Sequence, residues 1–334
     1  MQHIQVYNFT TESGAKFQNI PLSYQLFGKK LGGAPVVLVN HALTGNSQVC
    51  GENGWWKDLI GENKPINTDQ FTVLAFNIPG NGFDGFQIEN HKDFVAKDIA
   101  KLFLLGLKEL KINQLFAIIG GSLGGGIAWQ MAALSPEITQ NLIPIASDWK
   151  ATDWLIANCR IQEQFLNNSS QPVHDARMHA MLLYRTPQSF NQRFQRSVNE
   201  NLNIFNMESW LLHHGKKLQE RLQLSAYKMM NQLLKTIHVS SEGKSDIDFL
   251  NTIRGKIHII GVDTDLFFTP DENEQTFNAL SKVRNNVFYK EIKSIHGHDA
   301  FLIEFDQLEK IITPIFNLTD SQNKCSSKSL VQKK

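Results

Sequence analysis

Residues 115–134, LFAIIGGSLGGGIAWQMAAL, constrain this chain more than any other stretch. Residues 115–119 (LFAII) form a continuous apolar run with the length and character of a strand buried on both faces. The run enters Gly120-Gly121-Ser122-Leu123-Gly124, a match to G-x-S-x-G, and residues 125–134 (GGIAWQMAAL) then read as a helix. Going from strand to helix in so few residues forces a tight turn in which only small neighbours fit. Gly120 and Gly124 supply the room, and the strained turn exposes the Ser122 hydroxyl at the sheet edge. The helix start behind it offers free backbone N–H groups and the positive end of a dipole. A glycine-rich turn of no chemical role would produce the same pentapeptide, but it would not require a buried strand before it and a helix after it.

Similar runs recur along the chain. Residues 35–40 (PVVLVN), 71–77 (FTVLAFN), 256–262 (KIHIIGV) and 286–292 (NVFYKEI) read as strands, and residues 20–27 (IPLSYQLF) alternate with period two before Gly28. Residues 93–110 carry Phe94, Ile99, Leu102 and Leu105 at helical spacing, and residues 301–316 do the same near the end. Strands alternating with helices imply an α/β fold, a mostly parallel sheet with right-handed crossovers. From 148 to 239 the texture changes to helical segments rich in Gln, Asn, Arg and Met. The expected organisation is a core from 1–147 and 245–318, a helical lid insertion at 148–244, and a polar, disordered tail at 319–334.

Composition narrows the partners. Lys and Arg number 33 against 32 Asp and Glu, a net charge of +1 that leaves no basic footprint for nucleic acid or an anionic membrane. Cys50, Cys159 and Cys325 have no C-x-x-C spacing, so neither a disulfide framework nor a zinc site is indicated, and no metal is expected. No apolar run approaches ~18 residues, and the first residues lack the basic-then-apolar pattern of a signal peptide, so a cytoplasmic location is expected.

A serine hydroxyl needs a base to take its proton, and in folds built on this elbow the partners follow in the order Ser, acid, His. Asp263 and Asp265 follow the 256–262 strand, and His296 and His298 follow the 286–292 strand. Either aspartate also suits a turn, and either histidine suits a packed core position. The H-x-H pair has too few carboxylate or cysteine neighbours in sequence to argue for a metal. Acyl transfer also needs donors for an oxyanion. The N–H of Leu123, after the nucleophile, is one, and Leu43 in the loop His41-Ala42-Leu43-Thr44-Gly45 is the second candidate.

With these residues in view, the chain resembles the homoserine O-acyltransferases of the α/β-hydrolase fold from about residue 20 to 316. The resemblance rests on Asn40-His41-Ala42-Leu43-Thr44-Gly45, Gly54-Trp55-Trp56 with Leu59-Ile60-Gly61, and Gly120-Gly121-Ser122-Leu123-Gly124-Gly125, with Leu123 where Met is usual. Asp265-Leu266-Phe267 and Gly297-His298-Asp299-Ala300-Phe301-Leu302 are similar to that family's acid and base motifs. The resemblance favours Asp265 and His298 as triad partners of Ser122. In the insertion, Ala176-Arg177, Tyr184-Arg185 and Phe194 with Arg196 look like the family's lid segment. It implies that Arg177, beside Tyr184, binds the homoserine carboxylate and that Asp299 holds its ammonium. Residues 167–175 (NNSSQPVHD) are shorter than the family's loop, and Glu163 stands where Arg is common.

The resemblance implies a two-step acetyl transfer from acetyl-CoA to L-homoserine, as in methionine biosynthesis, with acetyl-CoA as substrate and no bound cofactor. A homodimer through the lid is implied, the apolar and Met-rich residues 210–234 being a candidate surface. A succinyl donor or L-serine as acceptor would use the same triad. An esterase would need no amino-acid grip, and a catalytically silent binding protein would need no Ser, Asp, His order.

Overall fold

The apolar runs become the centre of an eight-stranded sheet in the computed structural model, which describes residues 1–318. The expected tail at 319–334, with Cys325, lies outside the described residues. The strands are β1 (Gln2–Thr10), β2 (Lys16–Gly28), β3 (Val36–Asn40), β4 (Thr72–Phe76), β5 (Leu115–Gly121), β6 (Thr139–Ile145), β7 (Lys256–Val262) and β8 (Val287–Ile292). Their order across the sheet is β1-β2-β4-β3-β5-β6-β7-β8. β1 pairs antiparallel with β2, and β2 with β4, while all other pairings are parallel.

Strand periodicity divides the core in two. Leu38, Leu74, Ile118, Leu142 and Ile257 face one side, with the apolar faces of α1 (Ala96–Glu109) and α2 (Leu123–Leu134). Val37, Val39, Val73, Ile119, Ile143 and Ile260 face the other, against Trp56 and helix α10 (Phe305–Phe316). With both faces covered, every residue of β3 and β4 is buried.

Several elements depart from the sequence reading. β1 carries only two buried residues, Val6 and Phe9, so no apolar run announces it. In β6, TQNLIPI, Pro144 and three polar residues mask a strand that β5 and β7 flank. α1 buries Phe103, Gly106 and Leu107 and leaves Leu105 39% exposed, because its packing stripe is rotated towards β2. A Cβ on Gly106 would stand 2.6 Å from Leu22 Cδ2, so a bulkier residue there would push the helix off the sheet. The last apolar segment is two pieces, a 3₁₀ turn at Gly297–Leu302 and then α10.

Between β6 and β7 the chain leaves the sheet to build α3 (Asp153–Asn168), α4 (Pro172–Tyr184), α5 (Pro187–Phe194), α6 (Asn206–Gln219), α7 (Leu224–Lys235) and α8 (Asp246–Leu250), and α9 (Pro270–Ser281) then connects β7 to β8. A short antiparallel pair, Val198–Asn199 with Ile204–Phe205, joins α5 to α6. Thr152 caps α3 by accepting from the Leu155 N–H, and Thr186 caps α5 by accepting from Ser189. The entering and leaving chains are pinned together where Ala151 N–H donates to Ile237 O at 2.7 Å and Val239 N–H to Trp149 O at 3.0 Å. Met229, Met230, Leu233 and Leu234 of α7 are buried against the core, so that part of the Met-rich segment packs inward.

Candidate active site

Ser122 sits at the turn between β5 and α2 with φ 55° and ψ −126°, a conformation that L-residues seldom adopt. The turn is held from both sides. Ser122 N–H donates to Ile145 O at 2.9 Å, and the N–H groups of Gly125 and Gly126 donate back to Ser122 O. Close approach explains two glycines: a Cβ on Gly120 would meet Gly124 O at 2.5 Å, and one on Gly124 would meet Asn40 O at 2.3 Å.

The loops after β7 and β8 bring the remaining groups to this point. His298 Nε2 lies 2.9 Å from Ser122 Oγ, and His298 Nδ1 lies 2.7 Å from Asp265 Oδ2. The other carboxylate oxygen, Asp265 Oδ1, accepts the N–H groups of Phe267 at 2.7 Å and Phe268 at 3.1 Å. All three side chains are buried. Because Asp265 is held by two backbone donors on one oxygen, its second oxygen is aimed at the imidazole. Tyr184, Phe267, Phe268 and Phe301 surround the ring at centroid distances of 5.1 to 5.9 Å.

Asp263 and His296 do not join this row. Asp263 Oδ1 accepts the Ser294 N–H at 2.9 Å, tying the ends of β7 and β8 together. His296 Nδ1 meets Ser189 Oγ at 3.1 Å beneath α5.

Leu43 lies in the loop after β3, the strand that pairs with β5, and Leu123 in the first turn of α2. Among the described residues, neither N–H has a hydrogen-bond acceptor. Leu43 also lines, with Tyr184, Phe267, Tyr227 and Asn231, a cavity of about 10 Å³ under the insertion. A larger cavity of about 720 Å³ opens at the opposite ends of β5–β8, between Lys256, Phe288 and α10, away from the triad.

Arg177 projects from α4 with its guanidinium 5.5 Å from the Tyr184 ring centroid, and among the described residues it has no carboxylate partner. Burial pushes the Tyr184 phenol well above its ordinary value and the Tyr227 phenol up to about 12, so both stay protonated beside this cation. Burial, with Arg177 next, pushes His214 down to about 4. Asp299 is arranged differently from a free anion: its Oδ2 accepts from Arg185 Nε at 2.9 Å, in a half-buried ion pair. An ammonium ligand would have to share that carboxylate with Arg185.

Three contributors were not singled out by sequence reasoning. Arg185 pairs with Asp299 across 114 residues of chain. Arg221, between α6 and α7, donates to Thr44 O at 3.1 Å and so ties the insertion to the Leu43 loop. His41 is buried under that loop, and burial pushes it down to about 4. The Arg185 contact carries no local signal, and the histidine was visible only as part of HALTG.

Residues 35–301 match the family model described as alpha/beta hydrolase fold. Homoserine O-acetyltransferase of Cyclobacterium marinum is 31% identical, covering 91% of this chain and 92% of its own length. The same enzyme of Trichormus variabilis is 29% identical over 91% of this chain and 90% of its own. Among solved structures, esterase E22 superposes with a TM-score of 0.83 at 19% identity, covering 95% of this chain and 99% of its own. Homoserine O-acetyltransferase from Bacillus anthracis superposes at 0.82 and 19%, covering 95% and 97%.

Proposed function

The chain belongs to the homoserine O-acetyltransferase family, on the alpha/beta hydrolase fold, and we propose that it moves an acetyl group from acetyl-CoA to the hydroxyl of L-homoserine through an acyl-Ser122 intermediate. In the first half-reaction His298 Nε2 takes the Ser122 proton as Oγ attacks the thioester carbonyl. Asp265 keeps the proton of the imidazole on Nδ1 and stabilises the imidazolium that forms. The Leu123 and Leu43 N–H groups donate to the tetrahedral oxyanion, and CoA leaves as its thiol with the proton from His298. In the second half-reaction the homoserine hydroxyl gives its proton to His298 and attacks the acyl carbon; the bond to Ser122 Oγ breaks, and Oγ takes the proton back from His298.

The observation that supports an amino-acid acceptor is Arg177, a cation without a carboxylate partner among the described residues, stacked on the tyrosine that touches the His298 ring. A carboxylate there would complete it. Asp299, already bound to Arg185, is the anion for the ammonium, so grip and chemistry meet at adjacent residues of one turn. The aromatic wall around His298 and the closed insertion keep water from the acyl-enzyme, which favours transfer over hydrolysis.

The test is release of thiol from acetyl-CoA, followed with and without L-homoserine. Homoserine-dependent release with O-acetylhomoserine as product is the expected result. Release that ignores homoserine makes the protein a hydrolase, and no release refutes acetyl transfer.

Acetyl-CoA and L-homoserine fit a cytoplasmic enzyme of methionine biosynthesis, and no helix among the described residues is long and apolar enough to cross a membrane. Val198, Leu202, Phe205 and Leu212 are exposed on the insertion, which fits pairing of two copies through the lid.

A further inference from the structure

We propose that His41 is the positioning residue of the oxyanion hole: with its single ring proton on Nδ1, it grips the Ala42 carbonyl and thereby aims the Leu43 N–H at the reacting carbonyl oxygen. The inference rests on the acyl-serine reading, but not on which acyl donor or acceptor is used.

The tautomer follows from the donors around the ring. Ile78 N–H reaches His41 Nε2 at 3.0 Å, and Asn81 Nδ2 reaches the same atom at 3.3 Å. Two N–H groups pointing at one nitrogen require its lone pair, so the ring proton is on Nδ1. Nδ1 stands 2.8 Å from Ala42 O, and a carbonyl oxygen only accepts, so the Nδ1–H donates there. Charging the ring would put a proton on Nε2 against both donors. Burial already holds the group at about 4, well below its usual range.

The direction of the Leu43 N–H follows from peptide geometry. Among the described residues no peptide bond is cis, so the Ala42–Leu43 unit is trans, with C=O and N–H pointing in opposite directions from one plane. Ala42 O is held by His41 Nδ1 at 2.8 Å and by the Gly45 N–H at 2.9 Å. Two donors on the carbonyl side fix that plane, and the amide on the other side is the Leu43 N–H, which has no acceptor among the described residues. The peptide before it, His41–Ala42, abuts the nucleophile's helix: a Cβ on Gly124 would meet His41 O at 2.8 Å as well as Asn40 O. The loop that carries the Leu43 donor therefore starts against the turn that carries Leu123.

A buried polar chain keeps the imidazole itself in place. Asn81 Nδ2 also contacts Asn77 Oδ1 at 3.4 Å. Asn77 Oδ1 accepts the Ser47 N–H at 2.8 Å, at the far end of the same loop, and Asn77 Nδ2 donates to Ser23 Oγ at 2.8 Å on β2. The loop is thus anchored at both ends through β2 and the segment after β4, with His41 between them. An oxyanion donor must be in place before charge develops, since reorganising it during the reaction would add to the barrier.

Two near-isosteric variants separate a positioning role from a merely structural one. In His41→Asn an amide N–H can occupy the place of Nδ1–H, keeping the grip on Ala42 and losing the acceptor for Ile78. In His41→Gln an amide oxygen can occupy the place of Nε2, keeping the Ile78 acceptor and losing the grip. The assay is the acylation burst with p-nitrophenyl acetate, with rates expressed per burst site, KM measured alongside and Tm recorded. This readout needs neither CoA nor homoserine, so failure of the acetyl-CoA assay does not bear on it.

The expected result is a burst rate on the order of 10²–10³-fold lower for His41→Gln at nearly unchanged KM, with His41→Asn recovering most of it. Equal rates for Gln, Asn and wild type overturn the proposal, as does a loss for both variants that follows Tm alone. A wild-type protein without a burst overturns it together with the acyl-serine.

Discussion

Replacing Asp265 by Asn tests the triad with almost no change of shape. Asp265 Oδ1 accepts two backbone N–H groups, from Phe267 and Phe268, and an amide nitrogen cannot take that place. The asparagine oxygen must therefore go there, which leaves its NH₂ facing His298 Nδ1 at the position now 2.7 Å away. A donor at that point forces the imidazole proton onto Nε2, the atom 2.9 Å from Ser122 Oγ. The ring then points a proton at the serine and cannot accept one. Wrong-tautomer substitutions of this kind in other Ser-His-Asp enzymes cost about 10⁴ in kcat, or about 5.5 kcal/mol at 1.36 kcal/mol per tenfold. The expected kcat for thiol release by Asp265→Asn is lower by that order, with Tm changed by only a few degrees. A variant that keeps more than a tenth of the wild-type kcat would refute the assignment and return Asp263, or no acid at all, to consideration.

Arg177→Ala should lower kcat/KM for L-homoserine by about 10²-fold, the cost of leaving a carboxylate unpaired in a half-buried grip, with p-nitrophenyl acetate turnover within about twofold of wild type. A parallel fall for both substrates would show that Arg177 supports the fold and not the acceptor. Gly124→Ala should lower Tm by several degrees and reduce kcat, since its Cβ would press at 2.3 Å on Asn40 O, a backbone atom that cannot swing aside, with an overpacking cost of about 1–3 kcal/mol. Full activity at wild-type Tm would mean that the Leu43 loop can yield. Asp148, buried where the insertion leaves the sheet, is held up to about 7 by burial, although the Trp149 N–H and the Thr276 hydroxyl oppose the rise. With the folded pKa above the unfolded one, the native state binds the extra proton, so its stabilisation is full below about 4 and is lost as pH rises through about 7. Chemical denaturation of wild type should show stability falling across that window by up to about 4 kcal/mol relative to Asp148→Asn, and parallel curves would remove Asp148 as the source.

What could be read from the chain follows from how local each signal is. The elbow was legible because strand, glycine-flanked serine and helix are adjacent in sequence, and the physical requirement of the turn excludes larger residues at Gly120 and Gly124. Strands buried on both faces were legible as apolar runs, which is why β3, β4, β5 and β7 stood out. β1 and β6 escaped because the first lies at an edge with one face wet, and the second carries its polar residues where neighbours cover it. Leu105 was misplaced because a helical pattern gives a stripe but not its rotation, and here the close contact of Gly106 with Leu22 sets the angle. Periodicity also could not choose between Asp263 and Asp265. The difference is that Phe267 and Phe268 donate to one and Ser294 to the other, which only the folded loops decide.

The least legible part is the part that chooses the substrate. Ser122, Leu123, and the loops bearing Leu43, Asp265 and His298 all issue from ends of sheet strands, so their geometry is a consequence of the sheet. Arg177, Tyr184, Arg185 and Arg221 come from the insertion, and three of them meet the core through long-range contacts: Arg185 to Asp299, Arg221 to Thr44, Tyr184 to the His298 ring. Changes in the insertion can therefore alter what is held next to Ser122, and through Tyr184 and Arg221 they also reach the His298 ring and the Leu43 loop. Arg221 ties the insertion to the Leu43 loop at Thr44 O, and His41 holds the same loop at Ala42 O. Replacing Arg221 therefore perturbs the same loop that carries the Leu43 N–H, although the residue lies outside the strand ends that set the rest of the site.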